Sequence, residues 1–189
     1  MGTFRYDVEI LHLLVSPAHA YFGRARDGAA DVPTDDAAQA EVVAGKGIVG
    51  DRFFGKAAHM DAAVTLFAVE SLEAIAAELG SQPFDPLLTR RNVVLRGAQL
   101  APLLGHDFAL ESGGDVVEFH GGRHAQPCAW MDGMLAAGAH PAMRGRGGIR
   151  CRAVTGGFLH RGPAVLVSPV PLDPRRAGES SFLRPSRLP

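Results

Sequence analysis

At 189 residues, 47% of them hydrophobic, and with a formal net charge of −1, the chain is long enough for one domain with a substantial core and too near neutral to suggest a nucleic-acid partner. No uninterrupted apolar run approaches the ~20 residues that span a bilayer, so a helical membrane protein is excluded and a soluble one expected. Two cysteines, Cys128 and Cys151, are too few for a disulfide framework and lack the paired spacing of a structural zinc site.

In chain order, Val8 to Val15 reads as a first strand. Ala18-His19-Ala20 loosely resembles a signal-peptidase site, but Asp7, Glu9 and His12 break the apolar stretch before it. Met1-Gly2 is followed by Tyr6 where a myristoylation signal needs Ser or Thr, so a cytoplasmic protein is expected. Ser16 to Asp36 is polar and contains Gly and Pro, the composition of a flexible flap. Ala37 to Val43 resumes strand-like alternation. Gly45 to Arg52 packs glycines around charged residues, as in a loop that turns tightly or approaches a ligand. Ala62 to Val69 is an apolar strand running into a helix from Glu70 to Gly80, in which Leu72, Ile75, Ala76 and Leu79 recur at helical spacing.

Asn92 to Leu95, Asp107 to Leu110 and Asp115 to His120 read as short strands separated by glycine-bearing turns, with one helical turn over Leu100 to Leu104. Cys128 to Ala137 has helical composition. Gly148 to Thr155, the turn Gly156-Gly157 and Phe158 to Val167 read as a terminal hairpin. Many strands with few helices predict a mainly β (α+β) domain over residues 1–168, a closed or nearly closed barrel with helical inserts. Residues 169–189, rich in Pro, Arg and Ser, read as a loosely attached tail.

Charge is unevenly distributed. Residues 1–89 hold 13 acidic against 6 basic residues, whereas residues 90–161 hold 5 acidic residues against 9 arginines. Arginine outnumbers lysine 17 to 2, which fits genomic base composition and equally fits a demand for forked, fixed anion clamps. Three basic segments are candidates for one anion pocket: Arg90-Arg91-Asn92, Arg96-Gly97, and Arg144 to Arg150. Solvated surface loops are the competing reading for each.

Cys128 follows Pro127 at an apparent strand-to-helix transition. A helix N-terminus and neighbouring arginines would favour its thiolate, the form needed for metal ligation, sulfur transfer or nucleophilic attack. An inert core cysteine is the alternative. Cys151 alternates with Arg150 and Arg152 on a strand and is assigned to the core. His120, His124 and Cys128 recur at intervals of four, but Gly121, Gly122 and Pro127 argue against the helix that would align them on a metal.

Taken in order, Gly47-Ile48-Val49-Gly50-Asp51-Arg52, Arg90-Arg91-Asn92-Val93-Val94 with Gly97, Leu103 to Phe108, Pro127-Cys128 and the Gly156 to Gly162 segment resemble the MOSC domain, named after the C-terminal part of molybdenum cofactor sulfurases. The likeness spans roughly residues 8–168. It implies a MOSC-type β-barrel with one cysteine that ligates molybdenum or carries sulfur, and that residue maps to Cys128. It further implies a molybdopterin cofactor held by basic and backbone groups, for which Arg52, Arg91, Asn92 and Arg146 match or neighbour the motif positions. Asp51 follows the Gly50 turn and is a weaker candidate that organises the loop.

The chain has no pyridoxal-phosphate domain, so the resemblance does not extend to a complete sulfurase. It points to a stand-alone bacterial-type member: a component of a molybdenum-dependent oxidoreductase or a sulfur transferase, working with a separate redox or sulfur-donor protein. The alternatives are a non-catalytic carrier of sulfur or cofactor, and a binding module whose cysteine is structural.

Overall fold

The computed structural model describes residues 3–182; the Met1-Gly2 start and the end of the expected tail, 183–189, lie outside the described residues. Seven strands close into a barrel in the order β1 (Phe4–Val15), β11 (Gly162–Ser168), β7 (Asp107–Ser112), β8 (Asp115–His124), β9 (Ile149–Ala153), β5 (Val64–Ala68) and β6 (Val93–Arg96), which returns to β1. The expected mainly β barrel is therefore present.

One long strand makes the closure. β1 pairs with β11 through Phe4–Ile10 and with β6 through Glu9–Leu13, and a bulge between Ile10 and His12 bends it from one partner to the other. The short β2 (Asp35–Asp36) extends β1 at its far end. A second sheet, β10 (Gly157–His160), β3 (Gln39–Val43) and β4 (Gly47–Ile48), adds Leu159, Ala40, Val42 and Ile48 to the barrel's core.

All barrel pairings are antiparallel except β5 with β6. Parallel neighbours need a crossover, and α1 (Val69–Glu78) supplies it. β5 is buried at every position because both faces are covered. Val64, Leu66 and Ala68 fill the barrel, while Phe67 packs outward against Val69, Leu72 and Ile75 of α1. In β6, Val93 and Leu95 face inward and Val94 outward. The outer cluster is completed by Trp130 and Met131 of α2 (Trp130–Met134), by Ala139 of α3 (Ala139–Ala142) and by Met143.

Three expectations need correction. The terminal hairpin does not form: β9 pairs with β8 and β5, and β10 with β3. Gly156 serves close approach instead of a hairpin turn, since a Cβ there would lie 3.1 Å from the Val42 carbonyl oxygen. The two-residue glycine hairpin is Gly113-Gly114 between β7 and β8, with φ of 59° and 93°, as a type I′ turn requires. The helix expected over Cys128 to Ala137 is broken into α2 and α3.

Residues 169–182 are not a loose tail. Leu172 and Ala177 join the barrel's core cluster, the Leu172 amide donates to the Tyr6 hydroxyl at 2.7 Å, and the Ser71 hydroxyl donates to the Ala177 carbonyl.

Gly148 opens β9 at φ 82°, and a Cβ there would run into the Leu66 carbonyl oxygen of β5. Gly148→Ala therefore combines backbone strain with a clash that backbone alone can relieve. It is expected to lower stability by about 2 kcal/mol, read as an earlier midpoint of urea unfolding at unchanged slope.

Candidate functional site

β5, β6 and β9 put a row of polar residues on the outer face of the barrel. Thr65 and Arg150 are directly paired across β5 and β9, and Asn92 immediately precedes β6 beside Thr65. The Asn92 Oδ1 accepts from the Thr65 amide at 3.0 Å and the Thr65 hydroxyl at 2.8 Å, and its Nδ2 donates to the Leu14 carbonyl and to Asp51 Oδ2. Asp51 is thereby held under the loop that follows β4. Its Oδ1 accepts from the Phe53 amide at 3.0 Å, and its Oδ2 also accepts from Arg52 at 3.2 Å.

Above this base lies a cleft of about 180 Å³ lined by His19, Tyr21, Arg52, Phe53, Thr65, Thr89, Arg90, Arg91, Gln126, Cys128, Met131 and Arg150. Four guanidinium groups thus share one small space, and among the described residues no carboxylate lines it. Arg52 donates to the Arg90 carbonyl at 3.0 Å and lies 4.8 Å from the centre of the Phe53 ring. Arg90 has a left-handed backbone, φ 54°, and reaches Ser16, Ala18 and Thr34 of the loop between β1 and β2. Arg91 donates to the carbonyls of Ala125 and Gln126, both at 3.2 Å, which holds the segment leading to Cys128.

Burial dominates the electrostatics. It pushes Arg91 down to about 10, with Arg150 and then Arg52 adding to the fall and Cys128 opposing it. Arg52, Arg90 and Arg150 are lowered for the same first reason, Arg52 against the pull of Asp51. The Nε groups of Arg52 and Arg91 are buried without a partner, so the protein leaves donor capacity on both unsatisfied. Tyr21 is pushed up by burial, stacks on Trp130 at 5.4 Å and donates to the Leu88 carbonyl at 2.6 Å. The expected flap is thus tied down at Ser16, Tyr21 and Thr34.

The sequence candidates divide. Arg52, Arg91 and Cys128 reach the cleft, while Asp51 and Asn92 lie buried beneath it and position its walls. Arg146 is elsewhere: it pairs with Glu78 of α1 at 2.6 Å and faces a separate cavity under residues 176–181. Arg96 likewise leaves the site to pair with Glu73 at 2.6 Å. Cys128 is exposed and precedes α2 by two residues, its carbonyl accepting from the Met131 amide at 3.0 Å. A helix of five residues carries little dipole, so the local positive field comes from arginines. Cys151 is fully buried, as assigned, and burial pushes its thiol far up.

His120 and His124 lie on β8, where His120 meets Asp107 at 2.7 Å, and among the described residues no three His, Cys, Asp or Glu side chains group as a metal site. His19, Tyr21, Phe53, Thr65 and Thr89 are cleft residues that sequence reasoning missed. No motif marks them; the Gly50-Asp51-Arg52 match, one residue before Phe53, hints at one.

This barrel, with an arginine-lined cleft and a cysteine on its wall, defines a class. The MOSC domain profile matches residues 45–166, and the chain belongs to that family. Among solved structures it resembles the YuaD protein of Bacillus subtilis, at 17% identity and a TM-score of 0.68, over 90% of this chain and 100% of that one. It also resembles YiiM of Escherichia coli, at 17% identity and a TM-score of 0.55, over 93% and 76%. YiiM of Geobacillus stearothermophilus follows at 16% and 0.56, over 84% and 74%. These likenesses establish a shared fold. No curated protein matches the chain.

Asp51→Ala removes the one carboxylate beneath the arginines and leaves Arg52 buried and unpaired. A loss of about 3 kcal/mol is expected, measured by urea unfolding. Breaking the exposed Arg5–Glu111 pair should move the midpoint little.

Proposed function

We propose that this MOSC protein binds a pterin-based molybdenum cofactor in the arginine cleft, with Cys128 as the sulfur ligand of the metal. The observation that carries the reading is the union of four arginines and an exposed thiol in one space free of carboxylates. This donor set fits the group: guanidinium forks suit a phosphate monoester, and a soft thiolate suits molybdenum. The cleft is smaller than the ~300–1,000 Å³ of a site that encloses a drug-sized ligand, so it fits one end of such a cofactor.

Arg52, Arg90, Arg91 and Arg150 would hold the anionic end. Arg91 does so while fixing the carbonyls of Ala125 and Gln126, and thereby the position of Cys128. Asp51 and Asn92 act by positioning Arg52 and the loop that bears it. When bound, the group would supply reversible two-electron oxygen- or sulfur-atom chemistry. A separate redox protein, in the cytoplasm, would complete the cycle.

The exposure of Cys128 also favours a second reading, a carrier that holds one sulfane sulfur on this thiol for delivery to a partner enzyme.

Protein purified from a host that makes the cofactor should contain stoichiometric molybdenum and release a fluorescent pterin on oxidation. Cys128→Ala should lose the metal. Clean wild-type protein with neither component would defeat the cofactor reading. A reductant-labile mass gain of one sulfur on Cys128 would then support the carrier.

A further inference from the structure

Four cations with no facing carboxylate leave open how the cleft adjusts its charge to its ligand. The arginines stay protonated near neutral pH, and Arg91, the only one with a large fall, is still at about 10. Tyr21 is pushed up, away from neutrality. Asp51 is sealed beneath the surface by Asn92, Arg52 and the Phe53 amide. Among the described residues the one imidazole on the cleft wall is His19.

His19 is exposed on the rim, in the loop after β1, with its ring edge-on to Phe53 at 5.1 Å and 76°. Phe53 also carries Arg52 at 4.8 Å, Arg150 at 5.8 Å and the His59 ring at 4.7 Å. His12, His120 and His160 each meet an aspartate, at 3.0, 2.7 and 3.3 Å. Among the described residues His19 meets none; the charged groups bearing on it are Arg52, Arg90, Lys56 and the buried Asp51.

We propose that His19 is an anion-binding residue of the cleft and the group through which binding is coupled to a proton: neutral while the cleft is empty, it takes up one proton as a dianion docks and donates an N–H to it. The inference rests on the reading of the cleft as an anion site, and it adds a residue and a proton stoichiometry to that reading.

Partial desolvation at the rim first, then Arg52 and Arg90, hold the empty-state imidazole below its ordinary value of 6.5. A docked dianion cancels the neighbouring cations and adds an attractive charge, both of which favour the imidazolium. Binding therefore tightens as pH falls through the window between the two values. Each unit by which the anion raises the imidazole corresponds to about a tenfold gain in affinity across that window.

The probes are sulfate and molybdate, which remain dianionic between pH 6 and 8, so that any proton taken up belongs to the protein. Titration calorimetry in buffers of different ionisation enthalpy counts that proton. Wild-type protein should take up a substantial fraction of one proton near pH 6.5 and almost none at pH 8, with affinity falling about threefold over that range. His19→Gln should still bind, at the weak high-pH level, without proton uptake or pH dependence. Cys128→Ser should keep the uptake, which separates the imidazole from the thiol, and the His19 ring resonances should shift toward the protonated form on adding sulfate. Anion binding without proton uptake in the wild type, or uptake unchanged in His19→Gln, overturns the role of His19 and leaves the anion cleft standing. Failure of the wild type to bind either dianion overturns both.

Discussion

The side-chain amide of Asn92 ties the segment before β6 to three others on which the cleft is built. Its oxygen takes two donors from Thr65 on β5, and its nitrogen gives to Leu14 at the end of β1 and to Asp51 after β4, while its own amide donates to the Thr65 hydroxyl. The loop after β1 carries His19 and Tyr21; the loop after β4 carries Arg52 and Phe53; the residues just before Asn92 are Arg90 and Arg91. An amide is the side chain that fits here, because it offers acceptor and donor capacity at once. A carboxylate would face Asp51 as a like charge, and an aliphatic residue would strand the Thr65 donors in a buried place.

On that base the chain concentrates positive charge against its own stability. Burial deprives the guanidinium groups of water, the first reason all four lie below their ordinary range, and neighbouring arginines add to the fall at Arg52, Arg91 and Arg150. Among the described residues the one buried carboxylate that answers them is Asp51. A charge excess of this kind persists when an external anion is part of the working state. Arginine meets the need better than lysine, since one face of its fork can serve carbonyls such as those of Ala125 and Gln126 while the rest stays available.

Much of the barrel was legible because its strands alternate or form short apolar runs bounded by glycine. β5 and α1 were readable at once from the change of period near Ala68. The pairing partners were not: Gly156-Gly157 and Gly113-Gly114 look alike in sequence, and only the second forms the hairpin, since the first is consumed by contact with β3. In the site, the motifs named Arg52, Arg91 and Cys128, which share the cleft, and also Arg146, which does not. Arg146 lies before β9 and pairs with Glu78 of α1, while Arg150, four residues on and within β9, faces the cleft. His19 and Tyr21 carried no local signal, because their place depends on Arg90 and Trp130 drawing a polar loop across the barrel's outer face.

The two cysteines show how the same alternation sorts reactivity. On β9, Ile149, Cys151 and Ala153 point into the barrel and Arg150 points out, so Cys151 is enclosed among apolar side chains. Burial favours its neutral thiol and denies access to reagents and metals. Cys128 lies outside any strand, open to solvent and on the same cleft wall as Arg91. Thiol chemistry of the folded protein is therefore confined to one residue, and that residue stands where the fold has gathered its cations.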